Sequence, residues 1–528
     1  MAKPISFEKL EVSLTSDMAE PIGQVTEETP FHMLILGDFS GRANRQTNDP
    51  GAIPSPDYRA FPVEFEHLDQ LMTRLNVHLV LPALKDGSTK LSVTFQSLED
   101  FHPDRLVRQG EALPALMSLH QRLCDPSAFA EAAAEMQTWG LAPSPTAPPQ
   151  EESEPAPSTA PASSTASPDD PGDILARMLE ENPSAPPSET ALGDERSWQR
   201  FVEEVVAPYL VPGTDPRQPE RLAQVEHAMG DLMRTLLHHP DFQYLESAWR
   251  GLSWLTQRLE LSTQLKLFVV DLSKAELAAD LKKGNDIRVS KLARVLIDQA
   301  SGTLGAQPWA VVVGNYTFDQ TPEDLALLGT LAKIAQQARA PFLSHASSNF
   351  LGCPSLAQTP DPDAWKETND SASHTTWQAL RHRPEAAYVG LALPRFLLRL
   401  PYGAETEPLE TWAFEEKTNP PAHEEYLWGN PAFACLELIG KAFMTESWKG
   451  RPGLFLEVEG LPLHIFTHEG ESRIQPCAEV LLTERAADII LEKGLMPLLT
   501  LKDQDVIRLA RFQSIAEPLK PLAGRWQE

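Results

Sequence analysis

The chain is poor in cysteine, short of basic residues relative to acidic ones, and without a long apolar run. Only four cysteines occur in 528 residues, at positions 124, 353, 435 and 477, and no two form a CxxC pair. Such spacing offers neither a zinc knuckle nor a disulfide framework, and it suits buried free thiols in a reducing compartment. Lysine and arginine number 45 against 74 aspartates and glutamates, a net charge of −29. That excess repels phosphate backbones and anionic membrane surfaces, so neither nucleic acid nor a membrane is expected as a partner. No stretch reaches the roughly 20 apolar residues that span a bilayer. The opening MAKPISFEKLEV lacks the apolar core of a signal peptide, and a soluble, cytoplasmic chain is expected. Also missing are the GxxxxGK[ST] phosphate loop, the GxSxG nucleophile elbow and the HExxH zinc motif. No catalytic, cofactor or metal site is therefore expected.

Proline is plentiful at 47 residues, and its densest stretch organises the chain. From Leu141 to about Pro187, Pro, Ser, Ala, Thr and Glu dominate. A segment with so few large apolar residues cannot repay its ordering entropy, and its prolines stiffen it toward an extended tether. Three parts follow: a small domain at 1–140, a Pro/Ser/Ala-rich linker at 141–190, and a larger domain at 191–528. One island interrupts the linker, Asp173-Ile-Leu-Ala-Arg-Met-Leu-Glu180. Ile174, Leu175, Met178 and Leu179 would share one face of a short helix capped by Asp173. Too short to stand alone in water, it would either pack back on its own domain or serve as a helix-in-groove recognition element.

In the first part, Phe31-His-Met-Leu-Ile-Leu-Gly-Asp-Phe39 reads as a buried strand entering a turn. The following Ser40-Gly41-Arg42 suits a strand-end turn that needs glycine's permissive backbone. Leu68, Leu71, Met72 and Leu75 mark a helix. Residues 77–81 and 91–95 flank an Asp-Gly loop and predict a hairpin. Phe95 and Phe101 read as core anchors, and Pro103 suits the first turn of a helix over about 104–123. A further helix is expected over 127–139. FHMLILGDFSGR followed by FQSLEDFHPDRLV resembles the small subunit of the contractile sheath of type VI secretion systems.

In the last part, helices are expected at 198–210, at 219–237 and onward from Pro240. Lys266–Val270, Pro308–Tyr316 and Pro341–His345 read as buried strands. Ser273 is a candidate cap for a helix at 274–281, and Thr321-Pro322 opens another toward Arg339. This alternation predicts an α/β fold with layered sheets and flanking helices, whose strand ends would carry Asp271, Asn315 and His345. The paired His238-His239 read as polar helix-end residues. Trp249 and Trp428 read as core. Arg395 and Arg399, four apart, would share a helical face and pair with acidic partners, though core and surface are not distinguished for them.

HHPDFQYLESAWRGL, PWAVVVGNYTF, YVGLALPRFLLRLPYG and EEYLWGNPAFA, in that order, resemble the large subunit of the same sheath. The resemblance runs from about Pro219 to Pro518. It implies two sheath-type domains fused in one chain, a structural role and no enzyme activity. The implied partners are small and large sheath subunits or further copies of the chain, the inner-tube protein, the sheath-disassembling AAA+ unfoldase and the baseplate. By the same resemblance the 173–180 island occupies the place that the unfoldase grips. Large subunits continue beyond the point where this resemblance stops. An adaptor that caps, nucleates or modifies a sheath without polymerising is therefore the alternative.

Overall fold

The computed structural model describes residues 25–26, 28–48, 56–82, 90–109, 112–138, 215, 217–282, 287–298, 307–366 and 371–527. The 141–190 segment, with its island residues Ile174, Leu175, Met178 and Leu179, lies outside the described residues, as does the helix expected at 198–210.

Fifteen strands are described: β1 (Phe31–Gly37), β2 (Phe61–Val63), β3 (His78–Pro82), β4 (Lys90–Thr94), β5 (Leu265–Asp271), β6 (Trp309–Phe318), β7 (Phe342–Ala346), β8 (Val389–Leu393), β9 (Phe396–Leu397), β10 (Trp428–Gly429), β11 (Glu457–Val458), β12 (His464–His468), β13 (Glu471–Gln475), β14 (Met496–Thr500) and β15 (Ile507–Leu509). Nine of them make one sheet in the order β11-β15-β14-β8-β7-β6-β1-β5-β2. The strands from β5 through β14 run parallel, and β2, β15 and β11 add antiparallel edges. The α/β class expected from the strand–helix alternation is the one observed. The sequence halves interleave within it: β1 pairs with β5 from Phe31↔Leu265 to Gly37↔Asp271 and with β6 on its other side. The sheet is thus continuous between strands from both sides of the 141–190 segment.

Central parallel strands need cover on both faces. Leu34 and Leu36 of β1 join a buried cluster with Val312, Leu328, Leu331 and Ala335. Met33 and Ile35, also fully buried, alternate to the opposite face. The helix Pro322–Ala338 covers the first face. Thr321 caps it by accepting from Asp324 N at 3.3 Å, and Pro322 occupies its first turn. The helices Pro240–Arg258 and Pro431–Glu446 pack together, with Trp249 and Phe433 fully buried. Gly251 makes their approach possible, since a Cβ there would lie 2.7 Å from Phe433 Cε2. Ser273 and Glu276 form the capping box of Lys274–Leu281. His239 caps Pro240–Arg258 through Asp241 N, the helix-end role expected of it.

The hairpin forms as β3 and β4, paired from His78↔Thr94 to Pro82↔Lys90. Phe95 and Phe101 stack at 4.2 Å and meet Phe242 edge-on. The single helix expected over about 104–123 is instead two, Pro103–Leu106 and Ala112–Cys124. The Asp104 carboxylate accepts from Glu410 N at 3.0 Å and from the Thr411 hydroxyl at 2.5 Å.

The chain divides into two compact units, Met1–Met117 with Glu226–Glu528, and Ser118–Val225. Of the elements just described, all but the helix Ala112–Cys124, which crosses the boundary in the sequence, lie in the first. In the second, Arg122 pairs with Glu135, and Gln218 Nε2 donates to Leu123 O at 2.7 Å.

Candidate functional site

Three polar assemblies stand out, the first and third of them at the carboxyl ends of parallel strands. The first is built on the turn that leaves β1. Gly41 sits at φ +78, and a Cβ there would lie 2.6 Å from His78 O, so only glycine fits. The Asp38 carboxylate receives Arg42 N at 2.6 Å and Ala43 N at 2.7 Å, closing the start of the helix Arg42–Asn48. Asp271, at the end of β5, accepts from Phe39 N (2.9 Å), Ser40 N (3.0 Å) and the Ser40 hydroxyl (2.7 Å). The Trp249 indole donates to Phe39 O at 2.8 Å. Arg42 forks onto Glu276 at 2.8–3.0 Å. Burial, followed by the neighbouring Asp38, pushes Asp271 up to about 6. A phosphate would find these backbone N–H groups already occupied by carboxylates, so the turn works as a seam between the two sequence halves.

The second assembly is a buried ionic cluster. Arg399, 7% exposed, donates to Glu246 at 2.8 Å and to both Glu416 oxygens at 2.8 and 3.0 Å. Arg250 reaches Glu246 at 2.7 Å and the Tyr402 hydroxyl at 3.0 Å. The Arg399 guanidinium lies 4.3 Å from the Tyr402 ring centroid. Burial alone would raise the Glu416 pKa, but Arg399 overcomes it and holds the carboxylate down at about 2. Two arginines and two glutamates balance, which makes their burial tolerable.

The third assembly borders a cleft of about 240 Å3 at the ends of β6 and β7. Arg395 donates to Glu479 through its backbone N (2.7 Å), Nε (2.9 Å) and Nη2 (2.6 Å). His423 Nε2 lies 3.1 Å from the same carboxylate. Burial would raise Glu479, yet Arg395 and His423 hold it well below the usual carboxylate range. Burial and the Arg395 charge lower His345 to about 3, so its imidazole is neutral.

Of the expected strand-end residues, Asn315 and His345 meet at the cleft while Asp271 belongs to the seam. The helical face assigned to Arg395 and Arg399 is corrected. Residues 394–403 form no helix, and Phe396–Leu397 is the short strand β9. The flanking prolines 394 and 401 disfavour helix there, and each arginine is engaged by carboxylates of its own chain. Glu416 and Glu479 carried no local signal, because they lie 17 and 84 residues from their arginines.

Cys353, Cys435 and Cys477 are buried free thiols, and Cys124 is exposed. Among the described residues, no group of three or more His, Cys, Asp or Glu is placed to hold a metal ion. Among them, too, no helix is long and apolar enough to cross a membrane.

Comparison with known proteins follows the same division of the sequence. A family model described as "VipB: EvpB/VC_A0108, tail sheath N-terminal domain" matches residues 219–516. A second, described as "Type VI secretion system, VipA, VC_A0107 or Hcp2", matches residues 8–138. The chain is also similar to the Type VI secretion system sheath protein TssC1 of Pseudomonas aeruginosa, with 37% identity over 303 residues. That similarity covers 56% of this chain and 61% of the relative, so the chain spans about three-fifths of the relative's length.

Proposed function

Because the chain belongs to the type VI secretion tail-sheath family, matched over more than half its length, we propose that it is a structural component of a contractile sheath in which one chain supplies both subunit types. One observation carries this reading. β1, from the 8–138 match, is hydrogen-bonded on both sides to strands of the 219–516 match. A strand held between two others cannot leave without opening the sheet, so the two family modules are paired before any assembly begins. The linker over 141–190 would hold that pairing at one to one by effective concentration. Partners in this reading are further copies of the chain or separate sheath subunits around an inner tube in the cytoplasm. Baseplate contact belongs to the same reading. The island at Ile174, Leu175, Met178 and Leu179 would offer a helix to a sheath-disassembling unfoldase.

Negative-stain electron microscopy of the purified protein, alone and mixed with separate small and large sheath subunits, tests the proposal. Tubes from the protein alone, or tubes that incorporate it along their length, are expected. Particles confined to sheath ends would replace the proposal with a capping adaptor. Particles that ignore sheaths altogether would refute both.

A further inference from the structure

Lys417 follows Glu416 directly in the chain, yet its side chain ends in surroundings of another kind. Its Nζ lies 3.0 Å from the centroid of the Tyr426 ring and 3.1 Å from Nδ1 of His464, the first residue of β12. Tyr426 and His464 are buried, and Lys417 is partly exposed. Among the described residues Lys417 forms no ion pair. The carboxylates that face it are engaged elsewhere. Glu416 receives Arg399 and Tyr402 N, and Glu425 receives the Thr418 hydroxyl and Ala422 N. Burial is the largest influence on the amine and lowers it to about 7, against the opposing charges of Glu416 and Glu425 and with a smaller push from Arg399. Much of it is therefore unprotonated near neutral pH.

His464 supplies the other half of the arrangement. An ammonium only donates, so its contact with Nδ1 marks that nitrogen as an acceptor. The Tyr426 hydroxyl, 3.0 Å from the same nitrogen, competes for the lone pair. The imidazole is held in place, stacked on Phe466 at 5.4 Å and edge-on to Tyr426 at 5.7 Å. Burial and the Lys417 charge lower it to about 4, so it is neutral. An amine in hydrogen-bond reach of a base that other groups orient has the geometry of an activated nucleophile. The proton count narrows the electrophile. Condensation with an aldehyde needs an acid at the nitrogen to expel water. Acyl transfer needs only a proton acceptor, and an acceptor is what lies beside Nζ.

We propose that Lys417 is an acylation site, at which the amine takes an acyl group from an acyl phosphate. The Nζ lone pair bonds to the carbonyl carbon. The bond from that carbon to the phosphate oxygen breaks, and its electrons leave with the phosphate. The amine proton passes by way of His464 Nδ1 to the departing phosphate, so an amide and inorganic phosphate result. This chemistry depends on the surroundings of Lys417 alone and stands apart from the sheath reading.

Limited acetylation of the full chain with acetyl phosphate, mapped by peptide mass spectrometry across a range of pH, tests it. The exposed Lys502 and Lys520 serve as references within the same chain. An ordinary lysine is roughly 0.1% free amine at pH 7.5, whereas an amine titrating near 7 is mostly free. Its lower basicity gives back part of that advantage. Lys417 is therefore expected to react at least about tenfold faster than either reference at pH 7.5, with a profile that levels off at lower pH than theirs. Equal or slower reaction overturns the proposal, as does an advantage that survives in urea, where the surroundings are gone. His464→Asn keeps an acceptor oxygen but no base, and should slow Lys417 at least about threefold. Tyr426→Phe leaves the lone pair to Lys417 alone and should hold or raise the rate, which decides the point if the asparagine variant does not fold. An unchanged rate in folded His464→Asn, or a fall in Tyr426→Phe, overturns His464 as the proton acceptor.

Discussion

Replacing Arg399 with methionine removes the cation between Glu246 and Glu416, which are 0% and 1% exposed at their side chains. Arg250 still serves Glu246 at 2.7 Å, so Glu416 takes the larger loss. Its pKa is held from 4.5 down to about 2 in the folded protein. At 1.36 kcal/mol per unit, that displacement corresponds to about 3 kcal/mol of stability at neutral pH. Breaking buried ion pairs by removing one partner costs a comparable ~3–5 kcal/mol. The sign with pH follows from the direction. A depressed carboxylate contributes its full stability above its unfolded pKa and loses it as pH falls through the folded one. In Arg399→Met, burial raises the Glu416 pKa against the remaining hydrogen bonds from His238 and Tyr402 N, and the carboxylate accepts a proton at a higher pH than in the parent. The deficit relative to the parent should thus be largest near pH 7 and shrink toward pH 4. Urea unfolding followed by tryptophan fluorescence at several pH values measures it. The double variant Arg399→Met, Glu416→Gln leaves no lone buried carboxylate and should recover at least half the loss. A single-variant loss under about 1 kcal/mol, or a deficit that grows toward pH 4, would refute the account.

Other substitutions probe the seam and the helix contact. Gly41→Ala forces a Cβ against His78 O at φ +78, and a loss of about 1–3 kcal/mol in urea unfolding is expected. Asp271→Asn tests a carboxyl raised from 3.8 to about 6. The stability that this group contributes is present below pH 3.8 and lost as pH rises through 6, by about 3 kcal/mol. The parent's stability relative to Asp271→Asn should therefore fall across that window, and a flat difference would contradict the shift. Gly251→Val drives new atoms into Phe433 and should cost about 1–3 kcal/mol through overpacking, read as a lowered unfolding midpoint. Ser273→Ala removes a capping box and should cost about 1 kcal/mol.

Features governed by near neighbours in the chain were legible without a structure. The caps at Ser273 and Thr321, the prolines that begin helices at 240 and 322, and the hairpin of β3 and β4 depend on residues a few positions apart. Their chemistry is written in short spacings. Phe95, Phe101 and Trp249 were readable as core because large rings are costly to leave in water. Net charge of −29 set the expectation against a phosphate-backbone partner before any turn could be inspected.

Tertiary structure decided what depends on residues far apart. The run LPRFLLRLPYG is buried almost throughout, so it shows no polar face by which its period could be judged. Its arginines look helical by spacing, and only packing reveals that their carboxylates come from positions 246, 416 and 479. β1 offers an apolar run that names no neighbours, because parallel pairing is chosen by tertiary packing and leaves no local mark. Its place between β5 and β6 joins two halves that the proline-rich stretch seemed to keep apart in the sequence. The surroundings of Lys417 are likewise a product of the fold, since His464 lies 47 residues away in the sequence and an amine loses its water only once everything around it has been buried.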